Sequence, residues 1–134
     1  MGVRDIFTCA GWNDPSGDVT LNGTSLGTCT IRDILTYTDS AGRGGLVTIR
    51  GYSSVSIRAI VTHASGAVYS GPWRGAGDVI ITNIAGNISI SGAIDLNSPP
   101  GYYVYADGYL SLQAGGKITV TNLDLSKMLY ASFD

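Results

Sequence analysis

The segment Ile31-Arg32-Asp33-Ile34-Leu35-Thr36 repeats the pattern of Val3-Arg4-Asp5-Ile6-Phe7-Thr8, which lies 28 positions earlier in the chain. In both copies an apolar residue stands on each side of an Arg-Asp pair, and a threonine ends the segment. Self-similarity at a fixed spacing is typical of repeat architectures, in which each unit packs on its neighbours. Further copies of such a unit are therefore expected elsewhere in the chain.

Longer units recur in a fixed order along the chain. A glycine opens each unit, an alternating apolar pair follows it, and two more alternating pairs come later. The opening glycines are Gly17, Gly45, Gly77 and Gly108, which gives spacings of 28, 32 and 31 residues. The first pairs begin at Val19, Val47, Val79 and Leu110, the second at Cys29, Val55, Ile88 and Ile118, and the third at Ile34, Ile60, Ile94 and Leu123. Most of the variation in length lies in the loop after the third pair.

Alternation with a period of two residues turns one side of each short strand inward. A unit with three such strands cannot bury its apolar faces alone, whereas stacked copies share one core. The sequence therefore predicts an all-β protein, a parallel β-solenoid in the form of a three-faced, right-handed β-helix. It would have about four coils with a period of 28–32 residues. An antiparallel β-sandwich is the alternative, because short strands and glycine-rich turns suit it too.

We interpret residues 1–134 as a single β-solenoid domain with coils starting near residues 17, 45, 77 and 108. Residues 1–16 are the tail of a preceding coil, and residues 128–134 are a candidate end block. Two origins stay open: a segment of a longer solenoid, or a subunit whose exposed end coils stack on other copies. An open strand edge templates pairing, so both predict self-association unless the ends are blocked.

Composition excludes several classes of protein. Apolar residues make up 44% of the chain and charged residues 13%, Glu is absent, and the net charge is −2. A chain with so few helix-forming polar residues is not helical, and it is too apolar for disorder. Without a basic run we expect no nucleic-acid binding, and without an apolar stretch of about 20 residues no membrane insertion. The N-terminus has no apolar segment of the kind that a signal peptide contains.

The segments Gly86–Ser98 (GNISISGAIDLNS) and Gly115–Asp124 (GGKITVTNLD) resemble the repeats of filamentous-haemagglutinin-type proteins and autotransporter passengers. Those families are secreted bacterial surface β-helices and are often adhesins. The resemblance implies a secreted or cell-surface location and carries no catalytic motif. We therefore expect a non-enzymatic structural and adhesive β-solenoid. The alternatives are a self-assembling filament subunit and a polysaccharide-cleaving β-helix enzyme.

Aromatic residues cluster in two of the variable loops. The first loop holds Tyr69 and Trp73, and the next holds Tyr102, Tyr103 and Tyr105. These loops belong to consecutive coils, so we expect the rings to lie along one edge. Aromatic rings beside polar groups suit sugar stacking or protein contact, whereas rings that only cover the core edge are the alternative. We predict a ligand-binding surface here, with a surface glycan or a host protein as partner.

Asp95 and Asp124 fall in one outward column, one coil apart. Two neighbouring carboxylates suit a weak cation site or glycoside hydrolysis, and a solvated acidic face is the alternative. Earlier coils place Leu35 and Val61 in this column, so only two acids stack. We expect the solvated face and predict no catalytic residue.

A second outward column holds Arg4, Arg32 and Arg58, beside Asp5 and Asp33. Three stacked guanidinium groups suit the binding of sulfate, phosphate or uronate. The alternative, which we expect, is that the arginine and aspartate columns pair with each other across the surface.

The remaining reactive side chains are few. Cys9 and Cys29 permit one disulfide, but Cys29 lies in an apolar column and is expected to act as a small core residue. His63 is the one histidine of the chain, and no serine and acid stand at the spacing of a hydrolase triad. No set of ligands has the spacing of a zinc site. We therefore predict no metal and no cofactor.

Overall fold

The computed structural model describes residues 2–9, 16–37, 43–63, 76–96, 108–123 and 131–134. In these ranges the regular structure is ten β-strands, and no described residue belongs to a helix that could cross a membrane. The strands are β1 (Gly2–Phe7), β2 (Val19–Asn22), β3 (Thr28–Leu35), β4 (Val47–Arg50), β5 (Ser54–Val61), β6 (Val79–Ile84), β7 (Ile88–Asp95), β8 (Leu110–Ala114), β9 (Ile118–Leu123) and β10 (Ala131–Phe133).

Two five-stranded sheets contain all of these strands. The even-numbered sheet has the order β2-β4-β6-β8-β10, and the odd-numbered sheet has the order β1-β3-β5-β7-β9. Every paired neighbour is parallel, and successive strands alternate between the sheets. The predicted parallel β-solenoid is therefore confirmed. Its opening strands pair in register at Val19, Val47, Val79 and Leu110, so three full turns separate the first of these from the last.

The predicted inward columns form the core. In the odd-numbered sheet, Cys29, Val55, Ile88 and Ile118 pair in register, as do Ile34, Ile60, Ile94 and Leu123. The interior members of these columns are buried, and they form one continuous apolar cluster with the inward residues of the even-numbered sheet. Each coil thus buries its apolar faces against the coils on either side, as stacked repeats require.

The predicted second and third strands of a coil are one continuous strand in the structure. In β3, Cys29 and Ile31 face inward, and the next apolar inward residue is Ile34, three positions on. Alternation therefore shifts by one residue at Arg32-Asp33, and the same strand presents a second face to the core. In β7 three residues rather than two separate Ile90 from Ile94, and the pairing register shifts there. The right-handed sense of the coil stays a prediction.

The two ends of the solenoid differ. The two strands of one coil lie at one level: β2 with β3, β4 with β5, β6 with β7, and β8 with β9. Strand β1 lies one level beyond β3 in the odd-numbered sheet, and β10 lies one level beyond β8 in the even-numbered sheet. Residues 131–133 of the candidate end block thus pair with 110–112 as a further parallel strand. Residues 128–130 lie outside the described ranges, and the blocking role of the whole segment stays a prediction.

Candidate functional site

In the described part of the chain, the residues on either side of a variable loop lie close together, and we call this point the loop neck. A neck consists of the residue just after an odd-numbered strand and the glycine that opens the next coil. In every neck the glycine N–H donates a hydrogen bond to the carbonyl oxygen of the other residue. Among the described residues the necks are Thr8–Gly17 (3.1 Å), Thr36–Gly45 (2.9 Å), Thr62–Gly77 (2.9 Å) and Leu96–Gly108 (3.0 Å).

Three of the necks carry a second hydrogen bond. The hydroxyl of Thr36 donates to the carbonyl of Gly45 at 3.0 Å, and that of Thr62 donates to the carbonyl of Gly77 at 2.7 Å. Thr8 makes the same contact with Gly17. Thr36 and Thr62 are fully buried, and a satisfied buried hydroxyl fixes its surroundings. These three necks are therefore closed by two hydrogen bonds each, whatever the number of residues in the loop.

The necks also stack directly on one another. A Cβ atom added to Gly77 would lie 2.0 Å from the carbonyl oxygen of Gly45, and one added to Gly108 would lie 2.2 Å from that of Gly77. The backbone of Thr62 donates to the carbonyl of Asp95 at 2.9 Å. The described ends of consecutive loops thus lie at adjacent points along one edge.

All five predicted ligand-binding residues lie outside the described residues. Tyr69 and Trp73 belong to the loop of the Thr62–Gly77 neck, and Tyr102, Tyr103 and Tyr105 belong to that of the Leu96–Gly108 neck. The structure places the roots of these two loops side by side. The contact between the rings, and their role in binding, stay predictions.

A His–Asp contact beside the necks was not predicted from the sequence. His63 Nδ1 lies 2.9 Å from Asp95 Oδ2 on the next coil, and its ring lies 5.3 Å from the ring of Tyr37. The sequence did contain a signal for this contact. Val61 pairs with Asp95, and His63 is the next outward residue after Val61, so its side chain lies close to Asp95. Both side chains are about one-third exposed, so the pair adds little to stability.

The predicted Asp95–Asp124 pair is described only in part. Asp95 follows Leu35 and Val61 in the outward column, as expected, while Asp124 lies outside the described residues. No group of three or more His, Cys, Asp or Glu among the described residues could hold a metal ion. The solvated acidic face stays a prediction, and sugar cleavage through these two acids stays its alternative, which Asp95→Asn tests by release of reducing ends.

The arginine column pairs with the aspartates of the preceding coil. Arg32 Nε donates to Asp5 Oδ1 at 2.8 Å, and Arg58 Nε donates to Asp33 Oδ1 at 2.8 Å. Each guanidinium also binds the second carboxylate oxygen, so both contacts are bidentate. The pairing alternative is thus confirmed for Arg32 and Arg58, while Arg4 on the first coil is exposed.

These pairs shift the protonation of Asp33, whose side chain is only 12% exposed. The hydrogen bond from Arg58 is the largest effect, and it lowers the pKa of Asp33. Burial acts in the opposite direction, but the charges of Arg58 and Arg32 lower the pKa further, so it lies below its ordinary value. A carboxylate with a lowered pKa in the folded state stabilises the protein above its unfolded pKa, which is about 3.9. That stabilisation is lost as the pH falls through the lower, folded pKa.

We therefore expect Asp33→Asn to destabilise the protein in a pH-dependent way. The urea midpoint of the variant should lie below that of the wild type at pH 7, and the gap should shrink as the pH falls below about 4. Circular dichroism during urea titrations from pH 7 to pH 3 measures the gap. A gap that stays constant with pH would contradict the assignment.

The two cysteines of the chain are both free. Cys29 is 1% exposed in its column, and burial raises the pKa of its thiol. It therefore acts as a small core residue, as predicted. Cys9 is exposed at the start of the first loop, and the disulfide that the sequence permitted does not form.

The described residues define a parallel β-solenoid protein with a single edge of stacked loop necks. Comparison with protein-family models gave no match, and comparisons with curated proteins and with solved structures gave none either. The structure supports the parallel solenoid arrangement that the resemblance to filamentous-haemagglutinin-type and autotransporter repeats implied, and no comparison supports membership of those families.

Proposed function

We propose that this protein is a non-enzymatic structural scaffold that holds its variable loops in a row for contact with a partner. The observation that carries the proposal is the column of four loop necks, each closed by the same hydrogen bond. Because the necks share this backbone hydrogen bond while loop length varies, loop sequence can change without disturbing the solenoid. Binding residues on loops that a rigid frame positions are a common arrangement.

The core supports a mechanical role. Ile57, Ile81 and Ile90 are at most 1% exposed, and parallel hydrogen-bond ladders run through every coil. A close-packed interior has low compressibility and transmits force between its elements. A solenoid of this kind would therefore act as a stiff spacer between its two ends.

The contact surface that we propose is the aromatic edge predicted from the sequence, with a glycan or a host protein as partner. A secreted or cell-surface location is part of the same proposal, which the resemblance to bacterial surface β-helices supports. Aromatic side chains dominate the binding energy of many interfaces. Trp73 and Tyr103 are the residues on which we expect binding to depend most, since they lie in loops with adjacent necks.

Retention of the protein on insoluble cellulose, on chitin and on immobilised mucin tests this surface. We expect at least one support to retain the wild type, and Trp73→Ala and Tyr103→Ala to weaken that retention about tenfold. Phe7→Ala is the control, because Phe7 is an exposed aromatic residue on β1, outside the loops. No retention on any support, or equal retention of all variants, would contradict the aromatic surface.

A further inference from the structure

We infer that two copies of this chain stack end to end by sharing one coil, with β10 of one copy and β1 of the next at the same level. This inference goes beyond the loop scaffold and does not depend on what the loops bind.

The ends of the two sheets are complementary. Among the described strands, the outermost level at one end holds β1, an odd-numbered strand, and the outermost level at the other end holds β10, an even-numbered strand. A complete coil consists of one strand of each kind, in the order even then odd. When β10 of one copy and β1 of the next occupy one level, they complete a coil. In the same arrangement β1 pairs with β9 of the other copy, and β10 pairs with β2.

The existing register predicts the contacts across this junction. The inward column Ile31, Ile57, Ile90 and Val120 begins at Val3, so Val3 of the next copy would face Val120. The column Val19, Val47, Val79 and Leu110 ends at Ala131, so Val19 of the next copy would face Ala131. All pairings stay parallel, so both sheets continue without a break.

Among the side chains that the structure describes, the partly buried members of the apolar columns lie near the ends. Interior members such as Ile57 and Ile88 are at most 1% exposed, whereas Val3, Leu21, Ile118 and Val120, near the two ends, are only partly buried. Apolar area removed from water stabilises association. A second copy would cover these side chains with residues of the same columns.

A polar column continues in the same register. Inside the solenoid an arginine repeatedly donates to an acceptor on the preceding coil: Arg32 to Asp5, Arg58 to Asp33, and Arg50 Nε to Asn22 Oδ1 at 2.6 Å.

Arg4 is the exposed first member of the Arg32 column. Asn122 of β9 pairs with Ala93 and thereby takes the place that Asp33 has in β3. In the stacked pair, Arg4 would donate to Asn122 of the other copy. The occupant that fits this edge in both register and polarity is thus a second copy.

Light-scattering mass on a sizing column, over a concentration series of the full chain, tests the inference. The wild type should grow from 13.9 kDa towards whole-number multiples of that mass as its concentration rises. Asn122→Lys should place a cation against Arg4, and the concentration needed for assembly should rise about tenfold or more. Arg4→Asp alone should also weaken assembly, because it removes the donor to Asn122.

Mixing the two variants separates the shared coil from other association. Lys at position 122 of one variant would face Asp at position 4 of the other, so an equimolar mixture should assemble again. Ser56→Lys is the matched control, because Ser56 is exposed on the interior strand β5, and it should assemble like the wild type. A monomeric wild type at all concentrations would overturn the inference. Assembly that neither end variant weakens, or that the mixture fails to restore, would overturn the shared coil in particular.

Discussion

Gly77→Ala should unfold at a far lower urea concentration than the wild type, with a loss of about 3 kcal/mol in the free energy of unfolding. The added Cβ would lie 2.0 Å from the carbonyl oxygen of Gly45 and 2.6 Å from that of Gly44. Both obstacles are backbone atoms of the preceding coil, so relief requires the coils to separate. Separation would stretch the neighbouring hydrogen-bond ladder between β4 and β6. Circular dichroism during urea titration measures the loss.

Gly17→Ala is the matched control for this prediction. Gly17 opens the first complete coil and lies in the same column, but a Cβ there would meet only the side chain of Thr8, at 3.4 Å. We expect this variant to stay within about 1 kcal/mol of the wild type. Equal losses for the two variants would contradict the prediction. They would mean that alanine destabilises the protein by restricting the backbone and not by a clash with the preceding coil.

Ile88→Ala should lower the free energy of unfolding by about 2–5 kcal/mol, the usual range when a buried isoleucine is truncated. Ile88 is 0% exposed in the column that it shares with Val55 and Ile118. The coils on both sides fix its surroundings, so the cavity cannot collapse easily. Urea titration, at a concentration where the chain is monomeric, measures the loss.

Ile118→Ala is the control within the same column. Ile118 lies one coil further on and is only partly buried, so its truncation should cost less than half as much. If the two variants lose equal stability, the last coil is as well packed as the interior, contrary to the burial that the structure gives.

The register of the solenoid followed from the sequence because each column repeats one type of residue. Val47 and Val79 both follow their opening glycines by two positions, and the structure pairs them directly. Variation in loop length did not disturb this alignment, since each loop closes at its own neck. Alternation with a period of two then assigned the inward side of each strand correctly.

Other features of the fold depend on contacts that no local pattern encodes. Two predicted strands are one strand, β3, because the backbone pairing with β5 continues through Arg32-Asp33. Only the alternation of the residues that face the core shifts there. The sequence shows that a glycine opens each coil, but it does not show why a glycine is required there. At Gly77 the actual requirement is the carbonyl of Gly45 on the preceding coil, which only stacking brings close.

The candidate site was predictable only at its roots. The sequence placed the aromatic loops on consecutive coils, and the adjacent Thr62–Gly77 and Leu96–Gly108 necks agree with that placement. The positions of the aromatic rings stay predictions, because the loop residues do not repeat from one coil to the next and follow no period. The His63–Asp95 contact was missed because it joins two coils through side chains that differ from those of the earlier coils.

The most direct test of the stacked, parallel coils is disulfide formation between engineered cysteines, in a Cys9→Ser, Cys29→Val background. Ser56 pairs in register with Ser89, and paired strands lie about 4.8 Å apart, within the reach of a disulfide. Ser56→Cys with Ser89→Cys should therefore cross-link on mild oxidation of the folded protein. Ser56→Cys with Ser91→Cys should not, because two further residues along β7 place the second cysteine about 8 Å away. Cross-linking of the second pair in preference to the first, or of neither pair, would contradict the parallel register on which the whole account depends.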